Sequence, residues 1–276
     1  MTVFSPSRAM SCARRALSLL AVSAVALFAA VSAHATCQPV AERAPRLLWP
    51  AAFKPAAATP DKVRITFIGH ASFEIESPEG VRAVTDYNAY VRSPRVPDIV
   101  TMNNSHDSHF THFVDPEIKH VLRGWDTGSG VARHNLHLKD LHVRNVPTNL
   151  SELEGGRLTN GNSMFVFEAV GLCLVHISHL HHVLSKEQVA DLGRVDIAFA
   201  PIDGMYTMSH QELFEVLDMI KPTLIIPMHY GSWQGTQVFI ARASEKWKVG
   251  RHDSATLEIG YRDLPSRTEV LFLQGH

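Results

Sequence analysis

The chain has 276 residues, of which 45% are hydrophobic, 19% charged and 8% aromatic. This composition excludes disordered, collagen-like and small disulfide-scaffold proteins and leaves room for a substantial core. Its 26 Lys+Arg against 27 Asp+Glu give a net charge of -1 with neutral histidines, and no long basic run supplies the electrostatic footprint of a nucleic-acid-binding protein. The unusual feature is the count of 17 histidines, which raises a metal hypothesis.

The N-terminus reads as a signal peptide. Arg8, Arg14 and Arg15 precede an apolar run at 16–31, and no acidic residue occurs before Glu42. Small residues at Ala33 and Ala35 predict cleavage after Ala35. An uncleaved anchor is the alternative, but the apolar run falls short of the roughly 20 residues that span a bilayer. Removing 35 of the 276 residues leaves 241, with three arginines fewer, so 23 basic residues face 27 acidic ones for a charge of −4. The expected location is periplasmic or secreted, with no stable membrane span after cleavage. Cys12 leaves with the leader, and Cys37 and Cys173 remain as an even pair in an oxidising compartment, either bridged or with Cys173 a buried small hydrophobe.

Residues 36–61 carry Pro39, Pro45, Pro50, Pro55 and Pro60 and read as an extended arm. One domain is expected over 62–276. Its first half is strand-rich, with short β-type runs at 63–68, 72–75, 83–85 and 98–102 bounded mostly by Gly, Pro, Asn or Asp. Alternation of Leu136, Leu138, Leu141 and Val143 predicts half-buried strands, and 163–169 with 171–177 reads as a tight hairpin. In the second half, helices over 185–192, 209–220 and roughly 236–247 alternate with strands at 195–200, 223–227, 255–259 and 269–273. Leu213, Val216, Leu217 and Ile220 share one helical face. Ser185 with Gln188, and Ser209 with Glu212, match the N-terminal capping box. The pattern is that of an α/β fold.

Four stretches carry histidines at or just past strand ends: Gly69-His70-Ala71-Ser72-Phe73, Asn104-Ser105-His106-Asp107-Ser108-His109, His176-Ile177-Ser178-His179 and Ile226-Pro227-Met228-His229-Tyr230. A coordination shell needs such convergence, because imidazoles from one local segment rarely complete it. His176, inside a strand, reads as a satisfied core histidine. His181 and His182 read as surface residues of a loop, with contact to a metal as the alternative. His112, His120, His134, His137 and His142 read as solvated or half-buried positions. Asp86 and Asp203 read either as turn-forming residues or as partners of the histidines.

The order and context of these motifs resemble the metallo-β-lactamase superfamily, in particular the branch with the ascorbate-6-phosphate lactonase-like hydrolases. The resemblance covers about 63–230 and rests on Ile68-Gly69-His70-Ala71-Ser72-Phe73-Glu74, on Asp86, on Pro201-Ile202-Asp203-Gly204 with Tyr206-Thr207-Met208, and on Lys221-Pro222 leading to His229-Tyr230. It implies a four-layer αβ/βα sandwich with a metal site at the edge between two sheets. The family pattern His-x-His-x-Asp-His falls on Asn104, His106, Ser108 and His109, so its first His and its Asp are replaced. Its next His falls near Thr148, and its bridging Asp falls on His179.

What the resemblance then implies is one metal position rather than two. Asn104, His106 and Thr148 would make a poor first position. Ser108, His109, His179 and His229 would make the second, with His106 adjacent, so the expected metal ligands are His106, His109, His179 and His229. One Zn2+ is expected, with Mn2+, Fe2+ or Ni2+ as alternatives. Asp107 or His106 would handle protons in place of the missing Asp, and His70 would orient a ligand or polarise the substrate. The expected function is an exported metal-dependent hydrolase of a small-molecule ester, lactone or phosphodiester. The rival expectation is a pseudoenzyme or binding module that keeps the fold. Oligomeric state is not written in the sequence.

Overall fold

The computed structural model describes Cys37 and residues 61–151 and 157–275. The expected leader, and the expected arm apart from Cys37 and Asp61, lie outside the described residues. In chain order the elements are β1 (Val63–Gly69), β2 (Ser72–Glu76), β3 (Arg82–Val84), β4 (Ile99–Met102), β5 (His120–Arg123), β6 (Asn135–Leu138), β7 (Leu141–Ser151), β8 (Arg157–Ala169) and β9 (Leu172–His176). There follow α1 (Lys186–Leu192), β10 (Ile197–Pro201), α2 (His210–Ile220), β11 (Leu224–Met228), α3 (Trp233–Lys246), β12 (Lys248–Arg251), β13 (Thr256–Ile259), a 3-10 turn at Tyr261–Asp263 and β14 (Glu269–Phe272).

The strands form two mixed sheets, one ordered β13-β1-β2-β3-β4-β5 and the other β12-β14-β11-β10-β9-β8-β7-β6. Strict alternation builds the layers, because successive side chains of a strand point to opposite faces. Along β8 to β11, Phe165, Phe167, Leu172, Leu174, Ile197, Phe199, Ile226 and Met228 join Ile65, Phe67, Phe73 and Ile75 between the sheets. Their neighbours Val166, Val175, Ala198, Ala200 and Ile225 face the other way, onto Leu192 of α1, Leu213, Val216, Leu217 and Ile220 of α2, and Phe239 and Ala243 of α3. The small side chains of Ala198 and Ala200 leave space for the helices on that face.

The outer face of the first sheet is covered differently. Val84, Val100 and Met102 pack there against Tyr87, Phe110, Val114, Ile118 and Trp125, which come from loops. Among the described residues no helix covers this face, so the fourth layer is built by irregular chain. No helix among the described residues is long and apolar enough to cross a membrane.

Local chemistry sets the ends of these elements. Both expected capping boxes form: Ser185 Oγ accepts from Gln188 N at 3.2 Å and Ser209 Oγ from Glu212 N at 3.3 Å. The hairpin between β8 and β9 turns on Val170 and Gly171, both at positive φ (47° and 77°), as a two-residue hairpin loop that follows the strand twist requires. Helix α3 starts at Trp233, three residues before its expected position, and is capped by Ser232, whose Oγ accepts from Gly235 N at 3.0 Å. Strands β5 and β12 were not expected; each has four residues and includes His, Lys or Arg, which weakens an apolar signal. Cys37 and Cys173 form a disulfide that ties the segment preceding the domain to β9. Cys173 is also fully buried, so both properties weighed for it hold together.

Candidate metal centre

Parallel strands bring the site together. β9, β10 and β11 run parallel, so the residues after their C-terminal ends, His179, Asp203 and His229, emerge along one edge. In the first sheet the ends of β1 and β4 lead to His70 and to the segment with His106 and His109. The two edges are joined by a backbone bond from His229 N to His70 O at 2.8 Å. The chain turns sharply at each exit: His70, Asp86, Ser178 and His229 all lie in the left-handed region, at φ of 53°, 42°, 56° and 50°. Such a conformation costs an L residue about 1–2 kcal/mol, and four residues of this edge share it.

Four imidazoles converge at this edge. One nitrogen each of His106, His109, His179 and His229 lies within 4.8 Å of all the others. In every ring Nδ1 faces a neighbouring group. His109 Nδ1 is 2.5 Å from Asp86 Oδ2, His229 Nδ1 is 3.1 Å from Asp203 Oδ1, His179 Nδ1 is 2.6 Å from His181 Nε2, and His106 Nδ1 is 2.7 Å from Ser108 Oγ. That leaves four Nε2 atoms facing a common point. His109 Nε2 and His229 Nε2 are buried without a hydrogen-bond partner, an arrangement that costs free energy unless something binds there. His106 Nε2 and His179 Nε2 stand 2.9 Å apart, close to the roughly 3.3 Å separating two nitrogens bound at 2.0–2.1 Å to one tetrahedral ion. The donor set therefore fits a borderline-soft divalent cation.

The electrostatics keep these donors ready. Burial, reinforced by the neighbouring imidazoles, pushes His109 and His179 well below the ordinary histidine range and His106 below it as well. Burial likewise brings His70 down to about 4 and lowers His181. Neutral imidazoles at pH 7 are the form that ligates metals.

Behind the rings stands a layer of orienting groups. Asp86, fully buried, accepts from Asn103 Nδ2 at 3.2 Å and Ser178 Oγ at 2.9 Å besides facing His109. Gly124 permits this packing, since a Cβ there would lie 2.3 Å from Asn103 Oδ1. Asp203 accepts from the backbone N–H groups of Met205 at 2.9 Å, Thr207 at 3.1 Å and also Tyr206, and from Thr207 Oγ1 at 2.6 Å. Burial raises the pKa of Asp86; Asp203 is held below the carboxylate range although its burial opposes this, because His229, Thr207 and the turn's N–H groups outweigh it.

A profile of the β-lactamase superfamily domain matches residues 64–229, which spans every residue of this constellation. The chain belongs to the metallo-β-lactamase superfamily. Similar curated proteins include UPF0173 metal-dependent hydrolases of Pyrococcus furiosus, 24% identical over 194 residues (62% of this chain, 86% of that protein), and of Carboxydothermus hydrogenoformans, 26% identical over 195 residues (62% and 86%). A structure from Thermotoga maritima, assigned to the Zn-dependent hydrolases of the same superfamily, aligns with a TM-score of 0.58 and 26% identity over 78% of this chain and 100% of that one. A metal-dependent hydrolase structure from Parabacteroides distasonis shares the fold at a TM-score of 0.53 and 18% identity, over 67% and 90% of the two chains.

Within this superfamily fold, the expected residues fall as follows. His106, His109, His179 and His229 come together, and His106 is part of the same cluster rather than of a separate position with Asn104 and Thr148. Thr148 is buried and accepts a hydrogen bond from Asn162 Nδ2 at 2.7 Å. His70 stands beside the cluster, its Nε2 3.0 Å from Ser108 Oγ. Asp107 is exposed and hydrogen-bonded to the Tyr90 hydroxyl, which draws it to the rim. His176 is a core histidine, bonded to Ala71 O at 2.8 Å. Asp86 and Asp203 both partner histidines of the cluster, and Asp203 also staples its own turn. Sequence reasoning missed Ser108 as the link between His70 and His106, and His181 as the brace of His179. The alternation His179-Leu180-His181, with Leu180 fully buried, was the one signal available for the latter.

Proposed function

We propose that the protein is an exported metal-dependent hydrolase that cleaves an ester, lactone or phosphodiester at one altered metal position. The reading rests on one observation above all, the convergence of one nitrogen each from His106, His109, His179 and His229, with Nε2 of the buried His109 and His229 lacking a hydrogen-bond partner. The hydrolase names of the relatives support the reaction class. His109, His179 and His229, all buried, would hold the ion, which matches the three protein ligands of catalytic sites. Bound there, Zn2+, or Mn2+, Fe2+ or Ni2+, supplies Lewis acidity and brings the pKa of water to about 7.

The remaining work belongs to side chains of this chain. His106 is the exposed member of the cluster, and its neutral Nε2 accepts a proton from water and passes it to the leaving oxygen. Ser108 Oγ, between His106 Nδ1 and His70 Nε2, fixes the ring for this transfer. The balance is simple: water oxygen bonds to the acyl carbon or phosphorus, the bond to the leaving oxygen breaks, and the proton ends on that oxygen. Ser108 thus takes a positioning role where the family pattern has an acid. The Cys37–Cys173 disulfide supports export, because such bridges persist in oxidising compartments.

Metal analysis of protein purified without a polyhistidine tag tests this reading. One ion per chain is expected, lost in His109→Ala, His179→Ala and His229→Ala. Hydrolysis of chromogenic ester, lactone and phosphodiester substrates should fall in parallel by more than about a hundredfold, the upper range for losing a mere orienting partner. His106→Ala should keep the metal and lose turnover. No metal above background in the parent defeats the proposal, and metal without turnover favours a binding module.

A further inference from the structure

Four large side chains stand exposed where the chain continues from the histidine-bearing strand ends: Trp233 at 79%, Met205 at 76%, Tyr90 at 69% and Tyr206 at 65% of full exposure. Each is tied to a residue of the site. Tyr90 is hydrogen-bonded to Asp107, next to His106. The backbone N–H groups of Met205 and Tyr206 donate to Asp203, the carboxylate facing His229. Trp233 opens α3 four residues after His229, and Gly231 between them packs against Asp203. Single exposed apolar residues are ordinary, but a set gathered on one edge marks a binding surface.

The charge of that edge is as informative as its apolar character. Among the described residues, the loops at 85–98, 103–112, 177–185, 202–209 and 229–232 contain two arginines and no lysine. Both arginines are engaged elsewhere: Arg92 lies over the Tyr87 ring and donates to Phe113 O, and Arg95 donates to Glu74 and Glu76. Arg123 and Arg133 line a separate cavity with Trp125 and His134, and no cluster histidine is among its walls. A phosphate or carboxylate group of a substrate would thus meet, on the loops around the histidines, only two guanidinium groups that already serve other partners, whereas anion recognition ordinarily employs a dedicated one.

We infer that the substrate is a neutral ester or lactone whose apolar arm lies on Trp233, Tyr206, Met205 and Tyr90. This rests on the hydrolase reading above and narrows it by removing anionic phosphodiesters. The rim aromatics offer large apolar area at small conformational cost, and they set specificity without touching the reacting atoms.

Calorimetric titration with simple amides, unreactive stand-ins for esters, tests the inference apart from turnover. Octanamide should bind the full exported protein about tenfold or more tightly than butanamide, as burial of part of four methylenes requires, with a negative heat-capacity change. Dibutyl phosphate should bind more weakly than octanamide. In Trp233→Ser and in Tyr206→Ser the octanamide-to-butanamide ratio should fall about threefold each. Metal content should not change. Both side chains are exposed, so the variants fold, and an unchanged melting temperature checks this. Equal binding of the two amides, preference for dibutyl phosphate, or variants with an unaltered ratio overturns the inference. Cosedimentation with phosphatidylcholine vesicles that depends on Trp233 and is not relieved by octanamide also overturns it, in favour of a lipid surface. If the amides behave as expected while no metal-dependent hydrolysis is found, the hydrolase reading fails and the apolar rim stands.

Discussion

The two carboxylates that brace the cluster hold their charge by different means. Asp86, under the first sheet's histidine, is fully buried and satisfied by side chains: Asn103, Ser178 and His109. Asp203, under the second sheet's histidine, is satisfied mainly by backbone N–H groups of its own turn and by Thr207. Burial accordingly drives the pKa of Asp86 up, whereas Asp203 stays depressed. A carboxylate bound by its own loop is a permanent anion. One bound by distant side chains is an anion only while those side chains are in place, so folding of the first sheet's edge and the placing of His109 are coupled.

That contrast can be broken by mutation. Asp86→Ala should show the largest effect, because it leaves donors of Asn103, Ser178 and His109 buried without an acceptor; a loss of about 3–5 kcal/mol is expected, together with loss of metal. Denaturant unfolding and metal analysis of the variant measure both. Asp203→Ala should cost less stability, about 1–3 kcal/mol, since its turn lies nearer the surface, while metal affinity falls about 10–100-fold. Equal destabilisation by the two substitutions would dissolve the distinction.

The pH dependence sharpens it further. His70, His106, His109, His179 and His181 all have folded pKa values depressed by burial, His70 to about 4. The unfolded chain takes up protons near pH 6.5, where the folded chain does not, so the unfolded state binds more protons below that pH. Stability is therefore fully present above about pH 6.5 and is lost as pH falls toward 4. Urea midpoints of metal-free protein between pH 7.5 and 4.5 should decline across this window. A flat profile from 7 to 5 would show that the imidazoles are solvated. The smallest effect is expected for His181→Ala, about tenfold in metal affinity with little change in fold stability, read by competition with a chelating dye.

Much of this was legible in the sequence, for physical reasons that differ by element. Alternation gave the strands of the sandwich, because Phe165, Phe167, Leu172 and Leu174 must point away from Val166 and Val175. Serine followed by Gln188 or Glu212 located two helix starts, and His109 and His229 were recognisable from motifs at strand ends. The orienting layer was legible only in part: Asp86 and Asp203 were open between turn residues and histidine partners, and Ser108 was not seen as a link. Asp86, Ser108 and His181 act through partners 23, 38 and two residues away, and no periodicity encodes which distant side chain a hydroxyl or carboxylate will meet. Asp107 shows a related limit of sequence adjacency: it stands next to His106 in the chain, and its exposed carboxylate accepts a hydrogen bond from Tyr90.

The left-handed turns at His70, Asp86, Ser178 and His229 make the site a standing debt of the fold. Four such residues together cost roughly 4–8 kcal/mol, comparable with the roughly 5–15 kcal/mol by which a domain is stable at all. Glycine would relax each backbone, so selection of variants for heat resistance alone would tend to erase the chemistry, one strand exit at a time. Thermostabilising this scaffold without losing its histidine cluster means working elsewhere, in the two apolar cores and the loop layer of the first sheet.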